Sequence, residues 1–246
     1  MKHALLLYTA GTLTLLGCKK STPTDPTPTP SVAYQGTVVM VDEFGTPKAD
    51  RSSVSVTVTD TSPNWVVRTD AQGAFKMPLG NVTAGTHQLR FSYAGYGTFV
   101  MDNAATGSPI PPITLGQVST THTTVTASKN GTAYVIQGSV AERPTAAQPR
   151  PYRLFLTRSF APAPPLPIAN AYYLSVGGVP AADGSFTVSL TASDLTAAGF
   201  RTGDDVLVYA AGDNPAASTY IDFATGKKVF PASNVTLSST AASFSF

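Results

Sequence analysis

The sequence predicts an all-β protein built from two tandem β-sandwich domains. Short runs of alternating apolar and polar residues recur along the chain, such as Val54, Val56 and Val58 between serines and threonines. This period of two is typical of strands with one buried face. Gly and Pro number 20 each and separate these runs, as expected for turns. Between residues 32 and 116 no stretch shows helical periodicity.

Length and charge narrow the class of protein further. The chain has 246 residues, which is enough for two domains of ordinary size, and 42% of them are hydrophobic. Lys2 is the only charged residue in the first 17, so 15 of the 16 basic residues remain beyond it against 14 acidic ones. A nearly neutral chain lacks the basic surface that nucleic acid binding requires. We therefore expect no nucleic acid partner.

The N-terminus has the pattern of an export signal. Met1–His3 is a short basic start, and Ala4–Leu16 is apolar and uncharged. As a helix this run would span roughly 20 Å, too short for a hydrocarbon core of about 30 Å. Residues 1–17 are therefore predicted to be a signal peptide.

The run ends in Leu-Leu-Gly-Cys at positions 15–18 and resembles the lipobox of bacterial lipoprotein precursors. In that family the cysteine is acylated and becomes the first residue after cleavage. The resemblance implies a lipid on Cys18 and an anchor in the outer membrane. The alternative for Cys18, the only cysteine, is a buried thiol, but it is flanked by the signal segment and a Pro/Thr stretch.

Residues 18–31 form a Pro/Thr-rich linker. Alternating prolines favour extended polyproline II over helix or sheet, so this segment is predicted to be a stalk. Some surface-displayed lipoproteins carry acidic residues after the cysteine, whereas Lys19 and Lys20 stand there in this chain. This difference favours the periplasmic face of the outer membrane over the cell surface.

The first domain is predicted over residues 32–116. Alternation in Val54–Val58 and in Leu89, Phe91 and Tyr93 indicates two strands. Turn signals bound five more, giving seven strands in about 85 residues, as in a sandwich: Gln35–Val41, Asn64–Thr69, Ala74–Pro78, Thr98–Asp102 and Ile110–Leu115.

The order of motifs in this half resembles the carboxypeptidase regulatory-like domain, a transthyretin-like sandwich. The resemblance rests on GTVV at 36–39, the turn at 42–47, TDAQGAF at 69–75, AGT at 84–86 and FSYAGY at 91–96. It implies a rigid module without catalytic activity. In the TDAQGAF turn, Asp70 is expected to accept from backbone amides, Gly73 to take a positive φ and Phe75 to enter the core. A calcium loop at Asp70 is the alternative, but no further carboxylate follows it.

The second domain is predicted over residues 117–246, with no family resemblance. The continuous apolar run Asp205–Ala211 predicts a central strand covered on both faces. A short helix is expected at Ser193–Ala198, with Ser193 as N-cap and Gly199 after its end. Ala161–Pro167 is expected to be an exposed loop. Four alternating sets predict further strands: Tyr134/Ile136/Gly138/Val140, Tyr152/Leu154/Leu156, Tyr172/Leu174/Val176 and Phe186/Val188/Leu190.

The residues offer little for catalysis or metal binding. Beyond the signal segment the only histidines are His87 and His122, which lack a second ligand at metal spacing. His87 shares parity with Leu89 and is expected at the end of a core face, whereas His122 is expected on a solvent face. Adjacent Asp204 and Asp205 diverge on a strand and do not form a catalytic pair. We therefore expect no catalytic residue, metal site or cofactor.

The sequence is most consistent with a non-catalytic envelope lipoprotein that serves as a scaffold or interaction module. A glycan-binding lipoprotein supporting carbohydrate uptake is the alternative, and an envelope hydrolase has less support. For the alternative, Tyr172, Tyr173 and Tyr220 are the candidate ligand-binding residues, with Phe223 nearby, because aromatic rings stack on the apolar faces of sugars. For each ring taken singly, a place in the core or rim of a sandwich is the favoured interpretation. The expected partners are the membrane and an envelope protein or glycan.

Overall fold

The structure, a computed structural model, describes residues 32–159, 172–234 and 241–246. These residues form sixteen strands, one α-helix and one short 3-10 turn, which confirms the predicted all-β class. The signal peptide, Cys18, the linker at 18–31 and the proline-rich loop Ala161–Pro167 lie outside the described residues. No helix in the described part of the chain is long and apolar enough to cross a bilayer.

The first half consists of seven strands in two sheets. β1, β4 and β7 form one sheet in the order β4-β1-β7, and β2, β3, β5 and β6 form the other in the order β3-β2-β5-β6. Buried side chains from both sheets form one hydrophobic cluster, and Phe75 and Phe91 meet across it edge to face at 5.8 Å. The strands are β1 Val32–Val41, β2 Ser55–Val58, β3 Trp65–Arg68, β4 Ala74–Pro78, β5 Thr86–Ser92, β6 Phe99–Ala105 and β7 Ile113–Gly116.

The predicted turn between β3 and β4 is confirmed. Asp70 Oδ1 accepts hydrogen bonds from the backbone amides of Gln72 at 3.0 Å and Ala74 at 2.8 Å. Gly73 has φ +81°, and a Cβ there would lie 2.1 Å from the Val38 carbonyl oxygen, so glycine is required on two counts. Phe75 returns to the core, where it is buried.

One element of the predicted pattern in β5 is wrong. Leu89 and Phe91 are fully buried, but β5 ends at Ser92 and Tyr93 is 39% exposed. The chain turns at this point, because the Tyr96 amide donates to the Tyr93 carbonyl and Gly95 takes φ +80°. Because the turn starts at Tyr93, this residue is no longer part of the strand, and its side chain does not reach the core.

The second half contains the other nine strands of the described residues. β8, β9 and β12 form a sheet in the order β12-β9-β8, and β10, β11, β13 and β16 form one in the order β11-β10-β13-β16, while β14 and β15 pair as a small hairpin. The strands are β8 Thr123–Asn130, β9 Ala133–Val140, β10 Tyr152–Arg158, β11 Leu174–Gly178, β12 Ser185–Thr191, β13 Asp205–Gly212, β14 Tyr220–Ile221, β15 Lys228–Val229 and β16 Ala242–Ser245.

β13 is a central strand covered on both faces, as predicted. Val206, Val208 and Ala210 belong to the main cluster of the second half, which lies between its two large sheets. Ala211 points the other way, into a smaller cluster with Phe155 and Tyr172. The second cluster exists because a later part of the chain packs over the outer face of this sheet.

The helix α1 spans Ala192–Ala197, and the predicted N-cap is wrong. Thr191 is the N-cap: its hydroxyl accepts from the Asp194 amide, and the Asp194 carboxylate accepts from the Thr191 amide in a capping box. The hydrogen bonds from the Thr191 backbone and hydroxyl lower the pKa of the Asp194 carboxyl. Gly199 follows the helix with φ +99°, as predicted.

Candidate functional site

The two halves meet along a segment that leaves the second half and returns to it. We define the junction segment as residues 213–234, which follow β13 and contain the β14–β15 hairpin. Its Asn214 donates through Nδ2 to the carbonyls of Asp42 at 2.8 Å and Gln117 at 3.1 Å. Its Ser218 exchanges two bonds with Thr114 of β7, accepting at Oγ (2.9 Å) and donating from its amide (2.8 Å). The junction segment therefore binds the backbone of the first half.

Two glycines of the first half allow this close approach. A Cβ at Gly97 would lie 2.4 Å from the carbonyl carbon of Pro231, and one at Gly116 would lie 2.7 Å from Ala217 Cβ. Real Cβ atoms do not approach so closely, so any side chain at these positions would push the two halves apart. At both positions the backbone of the first half packs directly against the junction segment.

A second set of contacts lies beside the first. The Glu43 carboxylate accepts from the Thr120 amide at 2.7 Å and from its hydroxyl at 3.0 Å. The guanidinium of Arg150, itself paired with Glu142, lies 5.5 Å from the centre of the Phe44 ring, within the range of a cation–π contact. The turn after β1 is thus held by residues of the second half.

A buried ion pair stands where the junction segment begins. Arg153 donates through Nε to Asp213 Oδ2 at 2.9 Å and its Nη2 lies 2.7 Å from the same oxygen, while Ser233 Oγ donates to Asp213 Oδ1. The Asp213 side chain is 4% exposed. The Arg153 guanidinium also lies 3.6 Å from the centre of the Phe230 ring. The pair tethers both ends of the junction segment to β10.

Two cavities adjoin this ion pair. One of about 180 Å³ includes Asn214, Lys228 and Phe230 in its lining, and one of about 370 Å³ includes Gly177, Gly178 and Val179. Both share Arg153 and Asp213. The described groups of the pair already bond to one another and to Ser175 and Ser233, so the geometry here is that of a structural brace.

The three tyrosines predicted to bind a ligand lie in different surroundings. Tyr172 is 7% exposed, and its hydroxyl donates to the Lys228 carbonyl at 2.7 Å; burial raises its pKa, against an opposing effect of Arg153. Tyr173 is half-buried, with the Arg158 guanidinium 4.6 Å from its ring centre. Neither forms an open platform. Their role in ligand binding stays a prediction.

Tyr220 is separated from that pair and faces the first half. It packs edge to face on Phe99 of β6 at 5.5 Å and joins the first hydrophobic cluster. Burial, together with the nearby Asp222 carboxylate, raises the pKa of Tyr220. Tyr220 thus fixes β14 beside β6, and the hairpin turn that follows it extends over the first half.

A polar groove lies where this hairpin turn meets the first half. We define the hairpin groove by its lining residues: Asp60, Thr86, His87, Gln88, Asp102, Asn103 and Phe223. Its volume is about 160 Å³. Phe223 comes from the hairpin turn of the second half and is 80% exposed, whereas every other lining residue belongs to the first half. The groove is therefore a composite of both halves.

Hydrogen bonds fix several polar side chains that line the hairpin groove. The buried His87 contacts Asp60 through Nδ1 at 3.1 Å and the Thr83 carbonyl through Nε2 at 3.1 Å. Gln88 donates to Asp102 Oδ1 at 2.8 Å. Burial, with a smaller contribution from the charge of Asp60, raises the pKa of the neighbouring Tyr34 to about 12.

The histidines lie where their parity predicted, with His87 buried and His122 exposed. Among the described residues no three His, Cys, Asp or Glu side chains are grouped so as to hold a metal ion. Asp42 and Asp70 each accept two backbone amides of their own turns. These two carboxylates serve local structure.

Sequence reasoning missed the residues of the hairpin groove other than Phe223, and the reason is spatial. Asp60, Asp102 and Phe223 lie far apart in the chain and meet only because the junction segment crosses to the first half. A local signal existed for Asn103 alone, since asparagine tolerates the positive φ of 56° it adopts at the irregularity between β5 and β6.

Comparison with known proteins does not assign a family. No family model and no curated protein matches the chain. A candidate carbohydrate-binding protein from Bacteroides uniformis is 11% identical with a TM-score of 0.29, and the match covers 89% of this chain and all of that one. A DUF3823 family protein from Parabacteroides merdae is 10% identical with a TM-score of 0.28, covering 86% and 99% of the two chains. These values are too low to transfer a ligand or a function.

Proposed function

We propose that this chain is a non-catalytic interaction module of the cell envelope, tethered to the outer membrane by a lipid on Cys18. The junction between the halves is the observation that carries the proposal. Backbone-level contact at Gly97 and Gly116 and the hydrogen bonds of Asn214 hold two sandwiches in one arrangement. A body with a fixed arrangement presents a surface made from both halves at low entropic cost to a partner.

The sequence supports the same proposal. A lipid on Cys18 and the Pro/Thr-rich linker at 18–31 would tether the folded body to the membrane, and Lys19 and Lys20 favour its periplasmic face. The resemblance of the first half to the carboxypeptidase regulatory-like domain implies a module that supports a neighbour rather than a catalyst. Asp213 contributes to this structural use, because its carboxylate is occupied by Arg153 and Ser233.

In-cell crosslinking tests the proposal. A photoreactive amino acid replaces Val66 or Val179 in the full chain, because these exposed apolar residues (52% and 66%) lie in different halves. The proposal predicts a discrete adduct with one envelope component from at least one of these positions, and the Cys18→Ser chain should lose it. Adducts absent from both positions, or the same adduct from a soluble Cys18→Ser chain, would contradict it.

Glycan binding is the second candidate function. The observation that favours it is the hairpin groove, where the exposed ring of Phe223 stands beside carboxylate, amide and hydroxyl groups. An apolar ring surrounded by hydrogen-bonding groups matches a sugar, which has an apolar C–H face and a rim of hydroxyls. This candidate would make the chain a lipoprotein that supports carbohydrate uptake.

A further inference from the structure

We infer that the hairpin groove binds one residue of a neutral glycan, with its ring stacked on Phe223. The inference rests on the second candidate function, glycan binding, and gives it a site and a charge class. Its starting point is the position of Phe223: a large apolar side chain that is 80% exposed and lines a polar groove.

The hairpin turn holds Phe223 in a defined place. The Gly226 amide donates to the Asp222 carbonyl at 2.8 Å, and the Asp222 amide donates to the Lys227 carbonyl at 2.8 Å. Thr225 Oγ1 adds a bond of 2.6 Å to the Asp222 carboxylate. These bonds fix the backbone of the turn, so only the side chain of Phe223 has to be ordered when a ligand stacks on it.

The rim of the groove offers hydrogen-bonding atoms that the protein leaves for a ligand. Among the described residues, Asp102 Oδ2 has no hydrogen-bond partner, since Gln88 bonds to the other oxygen. Asn103 and Thr86 also line the groove, and their side chains have no hydrogen-bond partner in the described part of the chain. Together they offer acceptors and donors to the vicinal hydroxyls of a sugar.

The charges of the groove disfavour an acidic sugar. The lining holds two carboxylates and no Lys or Arg, so a uronate would be repelled. Asp60 is already in contact with His87 at 3.1 Å, which leaves Asp102 as the single carboxylate without a basic partner. A neutral sugar can form hydrogen bonds with these groups without electrostatic repulsion.

The size of the groove limits the contact to one sugar. Its volume of about 160 Å³ is below the roughly 300–1,000 Å³ typical of enclosed small-molecule sites. We therefore expect a surface site that grips one ring of a longer chain, so polysaccharides are better probes than monosaccharides.

Affinity gel electrophoresis of the full chain in mild detergent tests the inference. The probes are soluble neutral glucan, xylan, mannan and galactan, with polygalacturonate and oligolysine as charged probes. Retardation by a neutral polysaccharide should weaken about tenfold in Phe223→Ala, the loss of one stacking contact, and also in Asp102→Asn. It should persist in Phe223→Trp. Ile221→Ala is the matched control, because Ile221 is 57% exposed on the same hairpin but does not line the groove.

Each contrary outcome has a separate meaning. Equal retardation of Phe223→Ala and Ile221→Ala would overturn the groove as the site while leaving glycan binding in place. Binding of polygalacturonate or oligolysine alone would overturn the neutral class. Binding of none of the probes would overturn both the site and the glycan function, and the crosslinking test of the interaction module would be unaffected.

Discussion

Replacing Asp213 with asparagine should destabilise both halves of the protein together. Asparagine keeps the shape of the side chain but removes the charge that pairs with Arg153 at 2.7 Å. The two side chains are 4% and 13% exposed, so the Arg153 guanidinium would remain buried without a counter-charge. Breaking a buried pair in this way costs about 3–5 kcal/mol. We expect a loss of about 3 kcal/mol, because Phe230 and Ser175 still contact Arg153.

Urea unfolding of the full chain measures this loss with a reporter in the other half. Trp65, the only tryptophan, lies in β3 of the first half and packs against its core, so its fluorescence follows that half. If the junction couples the halves, the Trp65 transition and the far-ultraviolet circular dichroism transition should shift together to lower urea. Asp205→Asn is the matched control, since Asp205 begins β13, the strand that Asp213 follows, but is exposed; its change should be within about 0.5 kcal/mol. A Trp65 transition that does not move in Asp213→Asn would refute the coupling.

Three further predictions concern the junction, the pH dependence of stability and the lipid anchor. Gly97→Ala should cost about 1–3 kcal/mol, because its Cβ would lie 2.4 Å from Pro231, whereas Gly80→Ala, with open space around it, should be neutral by the same urea titration. The stability that the Tyr34 phenol contributes should be fully present below pH 10 and be lost as pH rises toward 12, because burial raises the pKa of Tyr34 to about 12 and the unfolded phenol ionises first. In Tyr34→Phe the free energy of unfolding should therefore fall less steeply over this range, and an unchanged slope would contradict the prediction. Cys18→Ser should move the chain from the membrane to the soluble fraction, and retention in the membrane would contradict the lipid anchor.

The parts of the fold that sequence predicts are those made by neighbours in the chain. In the turn at Asp70, Gly73 and Phe75, both hydrogen bonds of the Asp70 carboxylate stay within the turn, so residue types and spacing suffice to predict it. The capping box of α1 is equally local, and the spacing of Thr191 to Asp194 carried the signal. The prediction of Ser193 as N-cap was wrong because the two reciprocal hydrogen bonds of a capping box join Thr191 and Asp194.

The junction could not be predicted, because its contacts join distant residues without a local pattern. Asn214 and Asp42 are 172 positions apart, and β14 and β15 have two residues each, too few for a period. Tyr172 is one residue whose surroundings could not be predicted for this reason. Its alternation with Leu174 suggested a strand, yet it precedes β11 and is buried under the junction segment, whose course the sequence does not reveal.

A distance measured between the two halves shows whether the junction segment holds them in one arrangement. Because Cys18 is the only cysteine, a Cys18→Ser chain with cysteines at Val66 and Val179 accepts two spin labels, one in each half. Pulsed electron paramagnetic resonance should then give a single narrow distance distribution. A broad distribution, as two bodies on a free linker would produce, would contradict the claim.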